Sequence, residues 1–315
     1  MNITQPFAEI WLQPTNDNLL INMFKHIERV GRVCYRSEDK TTSDSYKRFI
    51  KMLEDSNHGA MLEHGTVYLT INKGSIDDDS YANREYLIEF FLKNKFSKVN
   101  IIHTSTDIIY YITTNYRVII ENKLKEHDVM NYMYSPTEYH EKRYTVHFST
   151  DIGVTREANR HRTNSIAESS TRYCNYAKDK FGHELNINQS AWISDDMISE
   201  SRNPSELIND FYNIKDNEIG DNDWNCVEWW LFANKIAERA YLELSKKGWK
   251  AQQARTILPL DTHSDLIHTA FESDWQHFID LRSNGTTGAP HPDIKVVADQ
   301  LKKEFNDLKQ IYEKH

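Results

Sequence analysis

Between residues 160 and 173 the chain reads Arg160-His161-Arg162-Thr163-Asn164-Ser165-Ile166-Ala167-Glu168-Ser169-Ser170-Thr171-Arg172-Tyr173. This run holds three arginines, one histidine, one glutamate and several hydroxyls, with almost nothing apolar. A packed core has no use for it, and a solvated helix face would set Lys and Glu at helical spacing. Guanidinium forks and hydroxyls suit the binding of phosphates and of a planar polar ring. The expected chemistry is the handling of a nucleotide by an enzyme.

The rest of the composition narrows that chemistry. A length of 315 residues is enough for a sizeable core in one large domain or two modest ones. The net charge of −9 argues against a general nucleic-acid binder, so a basic pocket in an acidic protein points to small anionic ligands. No apolar run reaches membrane-spanning length and no signal peptide is recognisable at the N-terminus, so a cytoplasmic protein without membrane partners is expected. Cys34, Cys174 and Cys226 are scattered, with no C-x-x-C pair, so neither a disulfide framework nor a metal site is expected. The ten glycines form no G-x-G-x-x-G and no phosphate-cradling loop, and H-E-x-x-H does not occur. Phosphates must then be held by side chains, which returns the reading to the arginines.

The elements that must position these residues follow from periodicity. Leu20, Met23, Phe24, Ile27 and Val30 predict a helix over 17–35 with Asp17 as N-cap, and a second helix is expected over 43–55. The β-branched and aromatic runs 66–71, 108–112 and 144–148 predict strands, with a helix near 81–95 between the first two and another after Asn115. Residues 153–162 read as helical, 196–223 as an acidic surface excursion, 224–247 as a long helix stopped by Gly248, and 264–281 as another helix. The last helix, about 293–313, carries Val297, Leu301, Phe305, Leu308 and Tyr312 on one stripe, and there is no internal repeat. Strands interrupted by long helices without regular alternation indicate an α+β fold.

The cluster resembles the signature of flavin-dependent thymidylate synthases: Arg-His-Arg, seven residues, then Ser, here Arg160, His161, Arg162 and Ser170, with Ser165, Glu168, Arg172 and Tyr173 also agreeing. Four more blocks resemble the family in the same order: 31–35 (Gly-Arg-Val-Cys-Tyr), 58–64 (His-Gly-Ala-Met-Leu-Glu-His), 254–259 (Ala-Arg-Thr-Ile-Leu-Pro) and 275–282 (Trp-Gln-His-Phe-Ile-Asp-Leu-Arg). Ala167 stands where the family has Asn, Ala60 where it has Ser or Thr, and Glu157 where Gln is common. Its Ala-Gln-x-Glu-Ile stretch becomes Pro290-His291-Pro292-Asp293-Ile294, behind an insertion containing Gly285 and Gly288. The resemblance implies one mixed α/β catalytic domain over 1–315, an antiparallel-rich sheet packed with long helices, with insertions at about 75–142 and 196–223. The apolar residues of the first, such as Phe90, Phe91, Ile108 and Ile109, predict a folded addition to the core.

The reaction implied by the resemblance converts dUMP to dTMP, with carbon from 5,10-methylenetetrahydrofolate, hydride from reduced FAD, and NADPH recharging the flavin. It also implies a homotetramer with sites between subunits. No cysteine nucleophile is needed, and Cys174 reads as a small, partly buried residue. The resemblance assigns Arg172 and Arg255 to the dUMP phosphate, supported by Ser169, Ser170 and Thr171; a structural ion pair is the plain alternative for Arg255. It assigns Arg282 a catalytic place against the uracil, where a fixed cation lowers the pKa of the N3–H; a helix-terminal arginine satisfying carbonyls is the alternative. Arg160, His161, Arg162, Thr163 and His277 are expected to hold FAD, with Arg160 also near dUMP. Glu168 is expected to bridge cofactor and substrate or to pair with a neighbouring arginine, and Glu157 and Leu281 to line the substrate.

His58 and Glu63 are read as ordering a loop, and Trp224, Trp229 and Trp230 as core or subunit contact. Asn115-Tyr116-Arg117 fits either a site or an interface. Two other functions fit the residues: a relative modifying another pyrimidine nucleotide, for example by hydroxymethylation, and an inactive nucleotide-binding module. Comparing dUMP with dCMP tests the first, and binding of dUMP without flavin identifies the second.

Overall fold

The three runs read as strands are strands in the computed structural model, which describes residues 1–56, 58–74, 80–213 and 223–312. In chain order the strands among the described residues are β1 (Asn2–Thr4), β2 (Phe7–Trp11), β3 (Thr66–Asn72), β4 (Lys98–His103), β5 (Ile108–Asn115), β6 (Arg143–Asp151), β7 (Ser165–Glu168), β8 (Asn186–Asn188) and β9 (His263–Phe271). They form a four-stranded sheet ordered β2-β6-β9-β7, a three-stranded sheet β3-β5-β4, and a parallel β1-β8 pair. The two larger sheets are antiparallel throughout, and with the long helices packed on them the fold is mixed α/β.

The four-stranded sheet carries the site, and register explains its two faces. Thr145 pairs Thr269, His147 pairs Ile267, and Ser165 and Ala167 pair Thr269 and Ile267 from the other side. Facing partners in an antiparallel pair point to the same side. One face therefore presents Thr145, His147, Ser149, Asp265, Ile267 and Thr269 towards helix Leu19–Cys34, where Val30, Val33 and Cys34 join Trp11, Ala167 and Ile267 in an apolar cluster. The other face presents Val146, Phe148, Leu266 and Ala270 to helices Glu272–Arg282 and Pro292–Tyr312, which contribute Trp275, Phe278, Val297 and Leu301.

The segment 75–142, so far as it is described, adds β4, β5 and helix Tyr81–Lys93 to a core shared with helices Leu19–Cys34 and Ser45–Asp55. Leu87, Phe91 and Ile112 are buried there, as the apolar content predicts.

Several expectations need correction. Residues 264–281 are not one helix: β9 runs to Phe271 and the helix begins at Glu272. The helix expected over 153–162 is Ile152–Ala158, so the arginine cluster lies beyond it. Asn18, not Asp17, caps the first helix by accepting from the Ile21 N–H at 3.1 Å, while Asp17 takes a positive φ of 49°. The segment 196–223 is no mere surface excursion. Helix Pro204–Asn213 buries Leu207 and Ile208 against Trp224, Val227, Leu231 and Phe232, and the remainder, 214–222, lies outside the described residues. Trp224 and Trp229 are thereby core contacts.

Asn115 accepts from the Val118 N–H, Tyr116 is buried with its hydroxyl on Glu54, and Arg117 pairs with Glu63 and Glu121. These bonds tie the tripeptide to the three-stranded sheet and to helices Ser45–Asp55 and Gly59–Leu62.

Gly65 begins the approach to β3 where no side chain fits. A Cβ there would lie 2.5 Å from Ile27 Cδ1 and 2.9 Å from Met23 Cγ, both on fully buried side chains. Gly65→Ala is expected to destabilise the protein by about 1–3 kcal/mol through overpacking. Urea denaturation checks this, and an unchanged midpoint would contradict the packing.

Candidate functional site

The site is built outward from helix Ile152–Ala158. Its N-cap, Asp151, accepts from the Val154 N–H at 2.8 Å, and its last turn delivers Arg156 and Glu157. A turn through Asn164 follows, closed by the His161 N–H on Ala158 O (3.0 Å) and the Asn164 N–H on His161 O (3.2 Å). The chain then docks as β7 on β9, and the Ser169 N–H donates to Asp265 O at 2.8 Å before the next turn. The arginine-rich run is therefore loop, strand, loop: Arg160 and Arg162 line one depression, Ser169, Ser170 and Thr171 line another, and Arg172 lines neither.

The first depression, of about 540 Å³, is lined by Glu168, Ser169, Ser170, Thr171 and Arg255, together with Arg156 and Pro259. Arg255 is exposed, and among the described residues its guanidinium donates only to Thr171 Oγ1, at 3.2 Å. Arg156 and Arg172 are also exposed, and none of these three is in an ion pair among the described residues, so the ion-pair alternative for Arg255 is not realised. Ser169 Oγ lies 3.2 Å from Ser264 Oγ and accepts from the Asp265 N–H at 3.1 Å.

The second depression, also about 540 Å³, is lined by Arg160, His161, Arg162, Thr163, His277, Leu281 and Arg282. Arg160 and Arg162 are exposed and make no ion pair among the described residues. Arg282 is committed: it donates to Glu157 Oε2 and to the Glu157 carbonyl, both at 3.0 Å, and to His161 Nε2 at 3.3 Å. It thus satisfies a helix carbonyl as well as facing the depression. Arginine only donates, so His161 Nε2 is the acceptor and the ring proton sits on Nδ1. Burial, then the charge of Arg282 and of His277, pulls the His161 pKa down to about 4.

A hydrogen-bonded chain joins the two depressions, and the Glu168 carboxylate fixes its direction. Asn159 Nδ2 donates to Glu168 Oε2 at 3.1 Å, which turns Asn159 Oδ1 towards His268 Nε2, also at 3.1 Å. His268 therefore carries its proton on Nε2, and Nδ1 accepts from Asn164 Nδ2 at 3.0 Å. Asn164 Oδ1 in turn accepts from Thr163 Oγ1 at 3.3 Å. His268 is fully buried, and burial, helped by the charge of His161, lowers its pKa to about 3. Glu168 also accepts from Ser264 Oγ at 3.2 Å and makes no ion pair to the neighbouring arginines.

The expected residues therefore fall in two groups. Glu157 lies apart from both: it lines a third cavity beside the same helix and reaches the second depression through Arg282. Sequence reading singled out neither Asn159, His268 and Ser264, whose partners are about 100 residues distant, nor Arg156. Arg156 alone had a local signal, a cation one turn ahead of the cluster.

Cys174 is buried, and burial raises its thiol pKa; burial pushes Cys34 up to about 12. Neither is poised as a nucleophile. His58 is exposed and Glu63 serves Arg117. Among the described residues no group of side chains is arranged to hold a metal ion, and no helix is long and apolar enough to cross a membrane.

These histidines set a pH dependence. Near pH 6.5 the unfolded chain takes up protons that folded His161, His268 and His26 refuse until about 4, 3 and 3. The unfolded state binds more protons in that window, so stability is full above about pH 7 and falls as pH drops. Each group is expected to cost about 2 kcal/mol at pH 5. Calorimetry should show the unfolding midpoint falling from pH 7.5 to 5, and less steeply in His268→Gln; a flat profile would contradict the buried neutral rings.

A family model described as thymidylate synthase complementing protein matches residues 100–308, well over half of the chain. No curated protein matches the chain. Among solved structures, a UMP/dUMP methylase, PolB from Streptomyces cacaoi, bound with 5-Br dUMP shows 17% identity, covering 98% of this chain and 93% of that one, with a TM-score of 0.41. The same methylase bound with 5-Br UMP shows 16% identity, 98% and 92% coverage, and a TM-score of 0.41.

Proposed function

The chain belongs to the thymidylate synthase complementing protein family, and from that premise we propose that it is a flavin-dependent thymidylate synthase acting on dUMP. The observation that carries this reading is the set of five arginines, Arg156, Arg160, Arg162, Arg172 and Arg255, all exposed and without a carboxylate partner among the described residues. Surface arginines in an acidic protein ordinarily find counter-charges. Four of them line the two depressions, Arg156 and Arg255 the first and Arg160 and Arg162 the second, and leaving them without carboxylates suits ligands that bring their own phosphates.

In this reading Arg172 and Arg255 hold the dUMP phosphate, with Ser169, Ser170 and Thr171 adding donors. Glu168 presents a carboxylate whose orientation is fixed from behind by Asn159 and Ser264. Arg282, held by Glu157 and His161, keeps a fixed cationic group at the second depression, where it favours loss of the N3 proton from a pyrimidine.

The second depression fits FAD by its donor set. Among the described residues its lining has three arginines, a neutral histidine that carries its proton on Nδ1, and no carboxylate, as a pyrophosphate and a flavin edge require. Arg160, Arg162, His161, Thr163 and His277 would hold the cofactor. When bound, reduced FAD supplies the hydride, NADPH restores it, and methylenetetrahydrofolate supplies the carbon. Arg160 lies on the second depression and Ser170 on the first, so joining nucleotide and flavin in one site requires groups from both. A second copy of the chain in a homotetramer can bring them together.

Loss of Arg255 removes a charge-assisted bond of about 1.5–3 kcal/mol, so Arg255→Ala is expected to weaken dUMP binding by about 10- to 150-fold in calorimetric titration. The function itself is tested by anaerobic absorbance of the protein supplied with FAD. Flavin bleaching by NADPH, faster with dUMP present, followed by dTMP formation, is the expected outcome. A protein that takes up no flavin would falsify the synthase reading, and turnover of dCMP or UMP in place of dUMP would reassign the substrate.

A further inference from the structure

The bonded chain from Glu168 to Thr163 is made almost wholly of groups that bond in either sense. Asn159 and Asn164 each end in one donor group and one acceptor, a neutral imidazole has one of each, and a hydroxyl does both. Glu168 is the exception: as an anion it only accepts, from Asn159 Nδ2 at 3.1 Å and from Ser264 Oγ at 3.2 Å. That one constraint sets every bond beyond it. It leaves Asn159 Oδ1 to accept from His268 Nε2, His268 Nδ1 from Asn164 Nδ2, and Asn164 Oδ1 from Thr163 Oγ1. The Thr163 proton therefore points inward, and the hydroxyl of this exposed residue shows only lone pairs to the second depression, which it lines.

The opposite sense needs no movement of the main chain. The Asn159 N–H is held by Thr155 O at 2.9 Å, the Asn164 N–H by His161 O at 3.2 Å, and His268 sits opposite Ile166 in the register of β7 on β9. His268 is fully buried, and among the described residues its ring nitrogens bond only the two amides, so a change at one nitrogen must be answered at the other. Suppose the Glu168 carboxyl takes a proton from water and donates it. Asn159 then turns its amide over, accepting at Oδ1 and donating from Nδ2 to His268 Nε2. The ring still carries one proton, given up from Nε2 to water and regained from water at Nδ1, and it now donates to Asn164 Oδ1. Asn164 Nδ2 donates to Thr163 Oγ1, whose own proton turns out to the second depression. The charged and titratable groups around this path are Arg156 and Arg255 on the wall shared with Glu168, Cys34 behind it, and His161 beside His268, with Arg282 on His161. Asp265 faces the other side of the sheet.

We infer that Asn159 and His268 are positioning residues that couple the two depressions: with Glu168 charged, Thr163 is an acceptor towards the second depression, and with Glu168 neutral it is a donor. A ligand that leaves Glu168 neutral thereby selects what the second depression binds, and a ligand there that needs a donor favours the neutral carboxyl in return. The coupling is a property of the side chains and holds whatever the ligands are. Its consequence for flavin rests on the synthase reading, in which the state of Glu168 at the nucleotide adjusts the hold of Thr163 on FAD.

The test reads the ring proton directly, by nitrogen-15 NMR of the full-length protein with labelled histidine, at about pH 8 where imidazoles are neutral. Without any ligand, the His268 proton is expected on Nε2 in the wild type. In Glu168→Gln the Ser264 hydroxyl keeps the glutamine oxygen on its own side, so the amide nitrogen faces Asn159 and the ring proton is expected on Nδ1. Asn159→Asp added to Glu168→Gln puts an acceptor-only group beside the ring, and the proton is expected back on Nε2. A proton on Nδ1 in the wild type, one that stays on Nε2 in Glu168→Gln, or one that stays on Nδ1 in the double variant overturns the inference. The second readout is FAD binding, followed by flavin fluorescence. Glu168→Gln is expected to change the affinity about fivefold or more, and to leave it unchanged in protein that already carries Thr163→Val. Equal changes in both backgrounds overturn the coupling to Thr163. A protein that takes up no FAD removes the synthase reading, while the ring proton still decides the relay.

Discussion

Everything at the site hangs on one buried polar strand. All nine residues of β9 are buried, and five of them are His263, Ser264, Asp265, His268 and Thr269. A polar group in such a place is costly unless it is bonded, so each neighbour is fixed by what the strand needs. Towards helix Leu19–Cys34, Asp265 takes His147 Nε2 at 2.8 Å and the Arg36 guanidinium. Burial opposes its charge, yet His147, His263 and Arg36 hold the carboxyl well below the usual range. Thr269 joins Thr145 at 2.7 Å and His64 Nδ1 at 2.8 Å, and Thr145 meets His26. Removing one partner of Asp265 would leave a buried charge, which costs more than the pair contributes.

The same demand orders the opposite face. His268 cannot stay neutral and bonded at both nitrogens without Asn159 and Asn164, and these two residues flank Arg160, His161, Arg162 and Thr163. The turn that displays the arginines is thus pinned at both ends to the sheet. Arg160 and Arg162 remain outside the network, exposed and without a carboxylate partner among the described residues, and their neutral supports are inside it. Charge is then sorted by location: Arg156 and Arg255 line the first depression, Arg160 and Arg162 the second, and Asp151, Asp261 and Asp293 the third cavity beside helix Ile152–Ala158.

How much of this was legible depends on the range of the interaction that decides each element. Leu19–Cys34 and Pro292–Tyr312 have one apolar stripe and one solvated side, so periodicity reveals them. The arginine cluster is legible because its composition suits nothing else. β9 is not, because it is covered on both faces: Leu266, His268 and Ala270 alternate with Asp265, Ile267 and Thr269, and neither set is uniformly apolar. Merged with the helix that follows, the stretch mimics helical spacing. Leu207 and Ile208 were hidden by the acidic residues around them. Asn159 and His268 lie 109 positions apart, and only the register of β7 on β9 brings their network together.

Three departures from the family's pattern have distinct physical weights. Ala60 is exposed and changes little around it. Ala167 is 2% exposed and packs in an apolar cluster with Trp11, Val30, Val33, Cys34 and Ile267, so a larger amide there would have to displace buried side chains. Glu157 matters most, because it puts a negative charge where a neutral amide is common. At 3.0 Å from Arg282, with the pair largely sheltered from water, it offsets much of the guanidinium's field while fixing its position. The net positive potential at the second depression then comes chiefly from Arg160 and Arg162, which have no such partner among the described residues. Any anion that approaches Arg282 must compete with Glu157 for the same donors, a competition that a neutral amide at that position would not impose.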